Sequence, residues 1–112
     1  TKPENQVRAI LDHYDLTRYF TAIAGARSGL EGQSDGKAVV LGWALERLAA
    51  AGADVSAPVL VGDRHHDLEG AAQYGIPVIY AEWGFGDDAE AEGAIARVAT
   101  PAELQPLLLD DA

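Results

Sequence analysis

Two carboxylates four residues apart, Asp63 and Asp67, close the stretch Val59-Leu60-Val61-Gly62-Asp63-Arg64-His65-His66-Asp67. The apolar run ahead of them, bounded by Pro58 and Gly62, reads as a buried strand of a parallel sheet. Asp63 falls where that strand ends, and Asp67 in the first turn of the helical pattern that follows. Open α/β sheets bind ligands at the carboxyl ends of their strands. Two carboxylates there, beside backbone N–H donors, suit a hard cation such as Mg2+. That ion takes one or two protein carboxylates and completes its octahedron with water and phosphate oxygens. Asp also favours turns and helix starts, so each carboxylate has a purely structural reading as well. Arg64, His65 and His66 lie between them. A His pair beside two Asp raises a transition-metal site, but adjacent side chains rarely point the same way, so at most one His could join. They read as surface or supporting residues.

The elements that must position these residues alternate along the chain. Val7, Ile10, Leu11 and Tyr14 have helical spacing, and Thr1-x-x-Glu4 fits a capping box with Pro3 in the first turn. Residues 16–20 form a short turn with aromatics packing inward, and residues 21–26 a short apolar strand. Residues 28–36 are Gly-rich loop. Residues 37–51 are a strong helix ended by Gly52. Strand 59–61, helix 66–74, strand 77–81, loop 83–86, a short acidic helix over 87–92, strand 97–99 and helix 101–109 follow. Trp83 and Phe85 read as loop-packing aromatics, and the acidic run 87–92 as a solvated face. Residues 110–112 read as a frayed tail. This alternation predicts an α/β fold of right-handed βαβ units with a parallel sheet.

The chain has 112 residues, 48% of them hydrophobic, and a net charge of −10. Such a balance argues against nucleic acid or an anionic membrane as partner, because both demand basic patches. Without cysteine there is no disulfide framework. No apolar run is long enough to span a bilayer and no signal peptide is visible, so a cytoplasmic protein is expected. The chain carries no methionine and opens on Thr1-Lys2-Pro3, which suggests a piece of a longer protein.

From Val61 to Asp67 the sequence resembles the fourth motif of the haloacid dehalogenase-like (HAD) hydrolases, within them the phosphoglycolate phosphatase-like branch. Leu68-Glu69-Gly70-Ala71, Gly75-Ile76 and Trp83-Gly84-Phe85-Gly86 follow as they do there. Lys37, opening a helix after a Gly-rich loop, resembles the third motif, and Thr1-Lys2-Pro3 the tail of the second. The resemblance implies an Mg2+-dependent phosphomonoester hydrolase that works through an aspartyl-phosphate on a small phosphorylated metabolite. Asp63 and Asp67 would be its metal carboxylates. Lys37 would hold the phosphoryl group and screen the carboxylates, as an anionic nucleophile approaching an anionic phosphate requires. A lysine at a helix start is otherwise opposed by the helix dipole. Thr1 would belong to, or neighbour, the phosphate-binding hydroxyl position, while Lys2 reads as a surface charge.

The implied fold is a doubly wound, Rossmann-like HAD core, of which residues 1–112 would be a partial domain, the C-terminal portion. Strands 22–25, 59–61 and 77–81 would be the third, fourth and fifth in the sheet order 5-4-1-2-3. The first motif, Asp-x-Asp-Gly-Thr, which carries the nucleophile and the central strand, is absent, and so is the helical cap that selects substrate. The expected partner is therefore the missing N-terminal half of the same protein, with a homodimer as an open alternative. Competing readings are another HAD reaction, such as phosphomutase or pyrophosphatase, and a non-catalytic HAD remnant.

Overall fold

A computed structural model describes residues 2–27 and 36–109, which fall into two compact units, Thr1–Ala57 and Pro58–Ala112. Thr1 and most of the Gly-rich loop, residues 28–35, lie outside the described residues.

The second unit is built on a parallel sheet. Val78, Ile79 and Tyr80 are β-branched or aromatic and follow Pro77, which cannot continue a helix. They form β2 (Val78–Ala81), the middle strand between β1 (Leu60–Gly62) and β3 (Ala96–Val98). Leu60 pairs with Val78 and Gly62 with Tyr80; Ile79 pairs with Ala96 and Ala81 with Val98. All four residues of β2 are buried. Alternate side chains leave a strand on opposite faces, so both faces of β2 are covered. β1 is different: it pairs on one side only among the described residues, and Val59 and Val61 remain 43% and 36% exposed.

Helix α3 (His65–Ala72) packs on β1 and β2. Its buried Gly70 and Ala71 let the helix backbone come close to the sheet. It starts one residue earlier and ends two residues sooner than its periodicity predicts. Gly75, at φ +67°, closes the turn that follows. Helix α4 (Pro101–Leu108) lies against β3 with Pro101 in its first turn. Thr100 makes no side-chain cap there. Glu103 instead reaches back to accept the N–H of Ala99 at 2.8 Å. The acidic run folds as a 3-10 turn over Asp88–Ala91.

The first unit holds α1 (Glu4–His13) and α2 (Lys37–Ala50). The strand expected over residues 21–26 does not form: among the described residues there is a single isolated bridge, Pro3 to Ala26. The segment is rich in Ala and Gly, which have little strand preference, and it finds no neighbouring strand among the described residues of this unit. What holds it is a close backbone approach. A Cβ on Gly25 would lie 2.6 Å from the Glu4 Cα, so only glycine fits. The Ala26 carbonyl accepts the Glu4 N–H at 2.8 Å, and the Ala26 N–H donates to the Lys2 carbonyl at 3.0 Å. The Glu4 N–H is thus taken by the Ala26 carbonyl, while the Thr1 side of the expected capping box lies outside the described residues. The Glu4 carboxylate binds Arg47 at 2.5 Å and Arg8 at 3.1 Å, and Arg47 above all holds its pKa below the usual range. The aromatics expected to pack inward stay exposed, as Tyr19 and Phe20 both show, because the described residues of this unit include no sheet face to receive them. Among the described residues no helix is long and apolar enough to cross a membrane.

Candidate functional site

Parallel pairing places the carboxyl ends of β1 and β2 side by side, since Gly62 is opposite Tyr80. The segments that leave these strands meet at that edge, where ligands bind in open α/β sheets. Asp63 is the first residue past β1, and the loop 83–86 follows β2. The loop folds onto the carboxylate: the Phe85 N–H donates to Asp63 Oδ2 at 2.9 Å. A Cβ on Gly84 would fall on the Asp63 side chain, and one on Gly86 on the Asp63 carbonyl and the Tyr80 hydroxyl. The glycines of the loop are thus what lets it close over Asp63.

Asp67 is 6% exposed. Its Oδ2 accepts the N–H of Asp63 at 3.0 Å and the N–H of Arg64 at 3.2 Å. It caps the start of α3, and a Cβ on Gly62 would collide with its carboxylate. The structural reading of Asp67 is therefore real, and it also fixes the backbone that carries Asp63. Asp63 and Asp67 are brought together at one strand end. Lys37 opens α2 in the first unit, as its place after Gly36 predicts. Thr1 lies outside the described residues.

The acidic run expected to be a solvated face contributes a residue that sequence reading misses. Glu90 is only 18% exposed at its side chain. Its Oε1 lies 3.0 Å from Arg64 Nε and 2.6 Å from His65 Nδ1, while Oε2 accepts the Asp87 N–H at 3.1 Å. The His65 contact first, and then Arg64, hold its pKa down to about 2. Asp87 Oδ1 accepts the Glu90 N–H in return, a reciprocal capping box. The spacing Asp87-x-x-Glu90 is the signal that points to it. The Tyr80 hydroxyl donates to the Asp87 carbonyl at 3.0 Å, and burial raises its pKa. Phe85, expected to pack within its loop, is 93% exposed because its backbone rather than its ring makes the contact with Asp63.

A cleft of about 690 Å3 lies elsewhere, in the first unit, walled by Glu4, Arg8, Gly25, Trp43 and Arg47. Among the described residues, none of the predicted site residues lines it, and its Glu4 is engaged with Arg8 and Arg47.

The second unit is thus a Rossmann-like parallel α/β unit with two carboxylates at the end of one strand. The HAD-hydrolase-like family model matches residues 36–105, and the chain belongs to that family. It is 35% identical, over 96% of its length, to the tyrosine-protein kinase PtkA of Mycobacterium tuberculosis. It is 32% identical, over 78% of its length, to the phosphoglycolate phosphatase of Caulobacter vibrioides. The crystal structure of a predicted phosphatase from Clostridium acetobutylicum superposes with a TM-score of 0.81 at 31% identity over 97% of the chain. The chain spans 37% of the kinase, 35% of the phosphoglycolate phosphatase and 49% of the solved phosphatase chain.

Proposed function

We propose that the chain is the metal-binding and lysine-bearing part of an Mg2+-dependent phosphomonoester hydrolase, active in a longer protein. The observation that supports this best is the seat of Asp63, with one oxygen held by the Phe85 N–H and its backbone fixed by the buried Asp67. The donor set fits the ion. It is all oxygen, it stands at the carboxyl edge of the sheet, and the missing side chains of Gly62 and Gly84 let the Asp67 and Asp63 carboxylates lie against the backbone there. Asp63 would hold Mg2+, with Asp67 direct or through a water. When bound, the ion would neutralise charge on the phosphoryl group.

Lys37 would hold the phosphoryl oxygens, and the substrate would be a small phosphorylated metabolite. An aspartate outside residues 1–112 would attack phosphorus. The phosphorus–oxygen bond to the leaving alcohol breaks, and water then cleaves the aspartyl-phosphate to free phosphate and carboxylate. Turnover of p-nitrophenyl phosphate by the intact protein tests this. Asp63→Asn should abolish Mg2+-dependent turnover with the fold near normal. Lys37→Ala should lower kcat/KM by at least a few tens-fold, roughly the loss expected for a phosphoryl clamp. Wild-type turnover in either variant would overturn that residue's role.

The likeness to PtkA supports a second reading, phosphoryl transfer to tyrosine. Phosphotyrosine formed from ATP by the intact protein, in the absence of phosphomonoester hydrolysis, would favour it.

A further inference from the structure

The same turn that carries Asp67 presents a second set of donors, of a different chemistry. His65, His66 and Glu69 each offer a ligand atom within 4.8 Å of the others. The two imidazole rings lie 3.8 Å apart, centroid to centroid, at 42°. The expectation that adjacent His side chains diverge thus fails at the first turn of α3. His65 and Glu69 share a helix face, four residues apart, and the His66 ring has swung onto the His65 ring.

From these three residues the geometry points to a site for a borderline divalent cation of the Zn2+ type on the exposed start of α3, separate from the all-oxygen seat at Asp63. Two imidazoles and a carboxylate are the donors that Zn2+, Co2+, Ni2+ and Cu2+ prefer, whereas Mg2+ prefers oxygen alone. A tetrahedral ion with bonds near 2.0–2.1 Å needs its ligands roughly 3.3 Å apart. His66 and Glu69 are exposed, so rotation of their side chains can close the remaining gap.

Glu90 prepares the third ligand. Its Oε1 is 2.6 Å from His65 Nδ1, which orients the ring and leaves Nε2 for the ion. A carboxylate on the far nitrogen of a metal-bound His fixes the tautomer and raises the ligand's basicity. The positive end of the helix dipole opposes a cation here, and the charges of Glu69 and Glu90 offset it. The three ligands leave room for water or an incoming group at the fourth position, as in open zinc sites.

Co2+ and Zn2+ titrations of the intact protein test this, with Co2+ read by its visible d–d absorption and Zn2+ by calorimetry. Wild type should bind one equivalent that His66→Ala and Glu69→Gln each weaken at least tenfold. His13→Ala and Asp63→Asn should retain it, and circular dichroism should show all four variants folded. Glu90→Gln should weaken binding less than loss of a direct ligand does. Absence of that equivalent in wild type, or its persistence in both His66→Ala and Glu69→Gln, would overturn the site. Its loss in Asp63→Asn alone would put the ion at the all-oxygen seat and overturn it equally.

Discussion

Gly84 and Asp63 come so close that no side chain fits between them. In Gly84→Ala either the loop 83–86 must lift or Asp63 must turn, and both break the hydrogen bond from the Phe85 N–H. Forcing a methyl into a packed contact costs about 1–3 kcal/mol. We therefore expect Gly84→Ala to lower the urea midpoint of the intact protein and to weaken its Mg2+ affinity more than tenfold. An unchanged Mg2+ affinity would mean that the loop does not position Asp63. At this scale the site is only half legible in the sequence. Asp63 and Asp67 stand out by type and spacing. Their supports do not, because a backbone N–H leaves no letter in the sequence and a glycine announces a turn as readily as a steric need. His65 and His66 are visible as residues, but their convergence depends on rotamers chosen at the first turn of α3.

Between elements, Glu90 ties the 3-10 turn Asp88–Ala91 to the start of α3 through Arg64 and His65. Its pKa of about 2 in the folded chain, against an ordinary 4.5, makes this tie depend on pH. The unfolded chain takes up a proton as pH falls through about 4.5, while the folded chain does not until about 2. Glu90 therefore contributes stability that is complete above about 4.5 and is lost as pH falls towards 2. The urea midpoints of wild type and Glu90→Gln should differ at pH 6 and converge near pH 2. A difference independent of pH would show that the carboxylate's charge is not what binds the two elements. The same comparison of elements shows what periodicity reveals. Helices α2 and α3 and strand β2 follow from apolar spacing and from the Gly and Pro at their ends. Residues 21–26 look like a strand by apolarity alone, yet a strand needs a partner, and their packing rests instead on the contact between Gly25 and Glu4.

Over the whole molecule, β1 is the element with unfinished business. It carries Asp63 at its end, yet it pairs only with β2 among the described residues and leaves Val59 and Val61 partly exposed. A parallel strand with apolar residues on both faces is normally an interior strand, and a bare apolar edge invites association. The relatives that match are two to three times longer than the chain, and the resemblance of residues 61–67 to a fourth HAD motif implies that a strand bearing Asp-x-Asp-Gly-Thr belongs beside β1. That strand would cover the edge and bring the nucleophile to Asp63 in the same step. Stability and activity should then rise together. Residues 1–112 alone should melt in urea over a broad range at low midpoint and should not hydrolyse p-nitrophenyl phosphate. Supplying a preceding segment with that motif, in cis or in trans, should sharpen the transition and restore Mg2+-dependent turnover. In cis, Val61→Lys should leave the isolated chain little changed, since the side chain is partly exposed there, but should destabilise the longer protein by about 2 kcal/mol or more, as an unpaired charge becomes buried. A cooperative transition with turnover in residues 1–112 alone would show that β1 needs no neighbour and that the nucleophile lies within the chain.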